Sequence, residues 1–151
     1  MSAIANIVAF DGAATPVSHT LVPVSVTRKE DGSVVAEWRE QLASLPIEAQ
    51  VHVTQTKLTM KNGIVRTATR IEVPVMEAIG AQNAAGYTAA PKVAYVDQVV
   101  VQTFSHPRST LAGRRTARML AINLANNIST SVAAATTGPV VELHDNGVVP
   151  S

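Results

Sequence analysis

The chain has no cysteine, so neither a disulfide framework nor thiol chemistry is open to it. Aromatic residues make up only 3% of its 151 residues, and the core must therefore be built from Val, Ile, Leu and Ala. Charge is also sparse: 15% of residues are charged and the net charge is +1, so any anion site has to come from placement rather than from bulk charge. No apolar run approaches the roughly 20 residues of a membrane span, and the N-terminus carries no basic region with a cleavage pattern. The expectation is a soluble, cytoplasmic chain with no membrane partner. The four histidines, His19, His52, His106 and His144, stand at no metal-ligand spacing. Glycine-rich phosphate loops, nucleophile elbows and paired carboxylates are missing too. Asp97 is a lone acid on a strand. These absences argue against an enzyme and imply no metal and no cofactor.

What is present is a long hairpin signal. Residues 48–60 and 64–74 alternate on either side of Asn62-Gly63, a pair suited to a type I′ turn. In the second arm a period of two puts Val65, Thr67, Thr69, Ile71 and Val73 on one face and Arg66, Ala68, Arg70 and Glu72 on the other. In the first arm Val51 and Val53 oppose Gln50, His52, Thr54 and Thr56. Leu58 and Met60 then fall in step with the polar set, which suggests a bulge near 55–58.

Around this hairpin the chain reads as strands at 4–10, 17–27 and 33–41, the second carrying Pro23 and so expected at an edge or with a bulge. In the third, Val35, Glu37 and Arg39 alternate against Val34, Ala36 and Trp38. Residues 75–91 are small and almost uncharged, a loop of the length that is either functional or disordered. A long strand follows at 92–104, with Val93, Tyr95, Asp97, Val99 and Val101 on one parity and apolar residues on both. The one clear helix begins after Pro107, capped by Ser109 or Thr110. Ala117, Leu120, Ala121, Leu124, Ala125 and Ile128 form its apolar stripe, while Arg114, Arg115 and Arg118 lie off it. A short second helix at 131–135 and a strand at 140–143 are further candidates. Strands followed by helices argue an α+β fold with an antiparallel sheet. So little helix leaves apolar surface uncovered in a monomer, which implies at least a dimer. The domain is taken as 1–135, with a helical segment at 108–135 and a tail at 136–151.

Two basic groups stand out. The helix arginines could enter a nucleic-acid groove or form a solvated face, and the second is the commoner case. Arg66 and Arg70, with Lys57 or Lys61 nearby, share the polar sheet face with His52, Thr54 and Thr56. That set suits single-stranded or looped RNA, but equally a solvated face with cross-strand ion pairs.

The chain resembles the coat proteins of single-stranded RNA bacteriophages, the leviviruses. The likeness rests on Gly32 leading into Val35-Ala36-Glu37-Trp38, on Arg70-Ile71-Glu72-Val73-Pro74 closing the fifth strand, and on the order of elements from Ala3 to Ala135. The resemblance implies an intertwined homodimer with a continuous sheet formed from an N-terminal hairpin and about five strands per chain. One or two C-terminal helices would pack across the partner, and dimers would build an icosahedral virion assembled in the host bacterial cytoplasm. It implies that the sheet faces the single-stranded RNA genome and can bind an RNA hairpin that represses replicase translation. The RNA-binding residues it implies are His52, Thr54, Thr56, Arg66, Arg70, Glu72, Tyr95 and Asp97, with Arg70 on a phosphate and Tyr95 stacked on a base. The small-residue loop would gather at symmetry axes through Gly80, Gln82, Asn83, Gly86 and Tyr87. Ala68 and Asp97 depart from the family pattern, where Thr and Asn contact RNA, so general genome contact is expected rather than recognition of one hairpin. The helix arginines would then lie on the outer surface, solvated or between subunits. The alternatives are a non-viral dimeric α+β protein binding RNA or a small ligand on its open sheet, and a dimeric enzyme using Asp97 and His52.

Overall fold

The computed structural model describes residues 4–78, 80, 84–88, 90 and 92–150. Two tight turns set the register of the sheet. At Arg28–Ser33, Lys29 N–H donates to the Ser33 carbonyl at 2.8 Å and Gly32 N–H to the Lys29 carbonyl at 3.0 Å. At Met60–Ile64 the same pair recurs at 2.8 and 2.9 Å. Gly32 and Gly63 sit at φ +79 and +80. Each turn is thus a three-residue loop with a left-handed glycine at its end, not the two-residue type I′ turn that Asn62-Gly63 suggested. Asn62 keeps an ordinary φ and uses its side chain instead: Oδ1 accepts from Ile64 N–H at 3.2 Å, as Asp31 Oδ1 accepts from Ser33 N–H at 2.9 Å.

The strands are β1 (Ile7–Phe10), β2 (Ser18–Arg28), β3 (Val34–Glu40), β4 (His52–Thr59), β5 (Val65–Met76) and β6 (Val93–Ser105). They form one six-stranded antiparallel meander in chain order, with the N-terminal hairpin part of the same sheet. The bulge expected at Pro23 is there, between Pro23 and Ser25, because proline has no N–H for the ladder. The bulge expected in β4 is not. His52 to Thr59 pair continuously with Glu72 to Val65, and Leu58 simply lies on the polar face opposite Arg66.

One face of the sheet is covered. Leu21, Ala36, Trp38 and Val53 pack with Leu143 and Val149 in a core whose largest member, Trp38, is 1% exposed. The Trp38 indole N–H donates to the Ala5 carbonyl at 2.9 Å and ties down the N-terminal segment. Helix α1 (Leu111–Ala125) starts at Thr110, whose Oγ1 accepts from Gly113 N–H at 3.1 Å, and ends before Asn127 at φ 49. Residues 131–135 are not helical, and the strand expected at 140–143 is a helical turn, Pro139–Val141 running into Glu142–Asn146. Pro139 suits a first helical position, and Gly147 at φ 63 closes the far end.

That turn overturns the expectation for the helix arginines. Asp145, fully buried, accepts from Arg118 Nε at 2.7 Å and Nη2 at 3.0 Å and from Arg115 Nε at 3.3 Å. Arg114 donates to the Asp145 carbonyl, and Arg118 also to the Ala135 carbonyl at 2.8 Å. The arginine stripe therefore points into the chain, and Arg118 is buried rather than solvated. The apolar stripe points out: Leu120 is exposed and Leu124 is 80% exposed.

Candidate nucleic-acid interface

Residues opposite one another in an antiparallel ladder share a face, so the register fixes the composition of the second, open face. One row across it reads Val22, Arg39, His52, Glu72, Gln98. The next reads Ser25, Glu37, Thr54, Arg70, Val100, and a third Thr27, Val35, Thr56, Ala68, Gln102. Leu58, Arg66 and Phe104 follow. His52, Thr54, Thr56, Arg66, Arg70 and Glu72 are thus brought together as the sequence implied. On β4, His52, Thr54 and Thr56 lie on the open face, and Val53 and Gln55 are buried on the other.

Tyr95 and Asp97 do not join them. They stand opposite Val75 and Val73, on the side of the sheet that carries the core, where Tyr95, like Val99 and Val101, is nonetheless exposed. The side-chain period of a strand is two, so a shift of one residue in alignment moves a side chain to the opposite face. Because β6 is apolar on both parities, its sequence carried no sign of which parity faces which way. Gln98 occupies the position beside Glu72 instead, donating to Glu72 Oε1 at 3.2 Å. In the loop, Gly80, Gly86 at φ +76 and an exposed Tyr87 lie between β5 and β6, which Glu77 N–H closes onto the Lys92 carbonyl at 2.8 Å. Gln82 and Asn83 fall outside the described residues. Val75 and Met76 still belong to β5, so the loop begins later than residue 75.

The electrostatics of the open face are mixed. Arg70 Nη2 meets Glu72 Oε1 at 2.6 Å, and Ser25 Oγ donates to Glu37 at 3.3 Å. Arg39 and Arg66 have no carboxylate within ion-pairing distance among the described residues. Arg39, His52, Thr54, Thr56, Arg70 and Glu72 border a shallow concavity of about 520 Å³. Arg39 is not among the residues that the resemblance implied, although its parity with Glu37 on β3 places it on the face of His52 and Thr54. Such a surface can hold anions and donate hydrogen bonds. It offers no nucleophile–base pair, and no cluster of three His, Asp or Glu among the described residues could hold a metal.

The covered face is completed differently. His144 lies on β5 and β6, its ring nitrogens 3.1 Å from Thr67 Oγ1 and 2.9 Å from Thr69 Oγ1, with Thr103 Oγ1 at 3.2 Å. Burial, and after it the Arg118 charge, pushes the His144 pKa below its ordinary 6.5 and outweighs the opposing pull of Asp145. Burial acts to raise Asp145, but hydrogen bonds from Arg118 and Arg115 and their charges hold it below 3.8. In the N-terminal hairpin, His19 Nδ1 is 2.9 Å from Glu40 Oε1, and that bond raises its pKa.

The family model described as levivirus coat protein matches residues 2–142 of the chain. The virus-like particle of bacteriophage EMS014 matches with 31% identity over 99% of both chains and a TM-score of 0.71. The bacteriophage EMS014 coat protein matches with 31% identity, 99% of both chains and a TM-score of 0.65. The bacteriophage GA protein capsid shares the fold at 17% identity, over 95% of this chain and 94% of that one, with a TM-score of 0.54. No curated protein sequence matches.

Proposed function

The chain belongs to the levivirus coat protein family, and on that premise we propose that its copies pair into dimers whose joined sheets line a closed icosahedral shell and contact single-stranded RNA. The protein is a structural capsid component, not an enzyme, and it self-associates into particles. Its place is the virion; assembly in the host bacterial cytoplasm belongs to the proposal.

Two unpartnered surfaces support pairing. Strand β6 ends the sheet, so among the described residues one edge of its thirteen residues has no ladder partner, and Val99, Val100 and Phe104 are exposed beside it. A long exposed apolar edge is a template for a second strand. The outward stripe of α1, with Leu120 and Leu124, is the second surface, and each such side chain gains about 1.5–3 kcal/mol when buried.

One observation carries RNA contact: the core and the C-terminal turn occupy one face of the sheet, while the other stays open and gathers Arg39, His52, Arg66 and Arg70 among small hydroxyls. With Tyr95 turned away, the stacking partner implied for a hairpin loop base is not on this face. General contact with the genome is therefore the function favoured, over repression through a single hairpin. The test is Arg66→Ala with Arg70→Ala. Particles with a reduced RNA content after nuclease treatment are expected, and unchanged RNA per particle would refute the reading.

A further inference from the structure

On the core side of β4 the parity of Val53 and Gln55 continues to Lys57, a cation to which RNA contact on the open face gives no role. Lys57 is half-buried and has neither an ion pair nor a hydrogen bond among the described residues. It lines a cavity of about 220 Å³ together with Ser105 and His106 at the end of β6, Arg114 on α1 and Asn146 in the C-terminal turn. Three basic side chains and no carboxylate border this cavity. The carboxylate of Asp145, beside Asn146, is taken up by Arg115 and Arg118 at 3.3 and 2.7 Å. Cations gathered without a counter-charge repel one another, and a bound anion relieves that. Arg114 is already fixed in place: Nη1 donates to the Ser109 carbonyl at 2.9 Å and to Ser109 Oγ at 3.0 Å, and Nε to the Asp145 carbonyl. Its Nη2 has no partner among the described residues. His106 Nδ1 accepts from Arg108 N–H at 3.2 Å, which leaves the ring proton of the neutral form on Nε2 as a donor. Donors held in position bind at little ordering cost.

We propose that this cavity binds one small tetrahedral oxyanion, inorganic phosphate or sulfate. Lys57 and Arg114 supply the charge, and His106, Ser105 and Asn146 supply further donors. The volume is below the roughly 300 Å³ at which sites for larger organic ligands begin, so the anion enters without a nucleoside attached. The site is on the core side of the sheet, away from Arg66 and Arg70, and stands whether or not RNA contacts the open face. A bound anion ties β4, the corner between β6 and α1, and the C-terminal turn to one another.

The experiment is equilibrium dialysis of radiolabelled inorganic phosphate against the full chain, in chloride buffer of fixed ionic strength. Saturable uptake approaching one phosphate per chain, displaced by sulfate, is expected. Lys57→Met should weaken uptake about tenfold, the ordinary loss with one hydrogen bond to a charged group, and His106→Leu several-fold. Lys92→Met removes the same charge at the other end of β6 and should leave uptake at the parental level. The melting temperature of the parental chain should rise with phosphate concentration through ligand linkage, and that of Lys57→Met should not. Uptake that does not saturate, or that is as strong in Lys57→Met as in the parent, overturns the site. An equal loss in Lys92→Met would report net charge alone and overturns it too. If Lys57→Met does not fold, His106→Leu decides: weaker uptake supports the site and parental uptake overturns it.

Discussion

Asp145 joins the C-terminal turn to α1 through two arginines at once, and its pair with Arg118 is buried while Arg115 stays partly exposed. Removing one member of a buried pair leaves the other charge uncompensated, which costs about 3–5 kcal/mol. Asp145→Asn is therefore expected to lower the chain's unfolding free energy by an amount of that order in denaturant titration, and Arg118→Met in the same background to restore part of it. Acid acts on the same place. The folded pKa of His144 is depressed, so its contribution is present above pH 6.5 and is lost as pH falls through the folded value. Asp145 is depressed as well and adds a loss at still lower pH, below 3.8. His19 has the opposite sign: its raised pKa gives stability below pH 6.5 that is lost as pH rises through the folded value. Melting temperatures between pH 7 and pH 5 should fall less in His144→Gln, which can still bond the Thr67 and Thr69 hydroxyls but cannot take up a proton. They should fall more in His19→Gln.

At the scale of elements, the strands, the positions of the turns between them and the helix cap were legible, because alternation, glycine and a capping threonine are local signals; the turn type at Asn62-Gly63 was not. What was not legible depended on pairing. The face of Tyr95 and Asp97 follows from how β6 registers against β5, and a strand apolar on both sides does not reveal it. The inward arginines of α1 followed from an acid some thirty residues away, Asp145, in a segment that read as a tail; three arginines on one helical face beside an otherwise unassigned His144-Asp145 pair was the available hint. The two hairpin turns give a graded prediction. An alanine at Gly32 or Gly63 must take positive φ, at a cost of about 1 kcal/mol or more. At Gly63 the new Cβ would also sit 3.0 Å from Pro107 Cγ, while Gly32 has open space. Gly63→Ala should thus lower the melting temperature more than Gly32→Ala, and equal losses would assign the whole effect to the backbone.

For the molecule as a whole, a single chain leaves its helix stripe and its last strand bare, and both become intelligible in an assembly of copies. Leu120→Ser with Leu124→Ser leaves the Arg118–Asp145 contact untouched, so the chain should still fold. By sedimentation it should fail to form particles; particles in parental yield would show that α1 is no interface. The most direct measurement of the central claim is cryo-electron microscopy of the nuclease-treated particle fraction from cells expressing this chain alone. The expected result is a closed shell with RNA density against the face of Arg39, Arg66 and Arg70 and with α1 on the outside. A shell with that face outward and free of RNA, or small soluble oligomers across a range of salt and protein concentration, would contradict it.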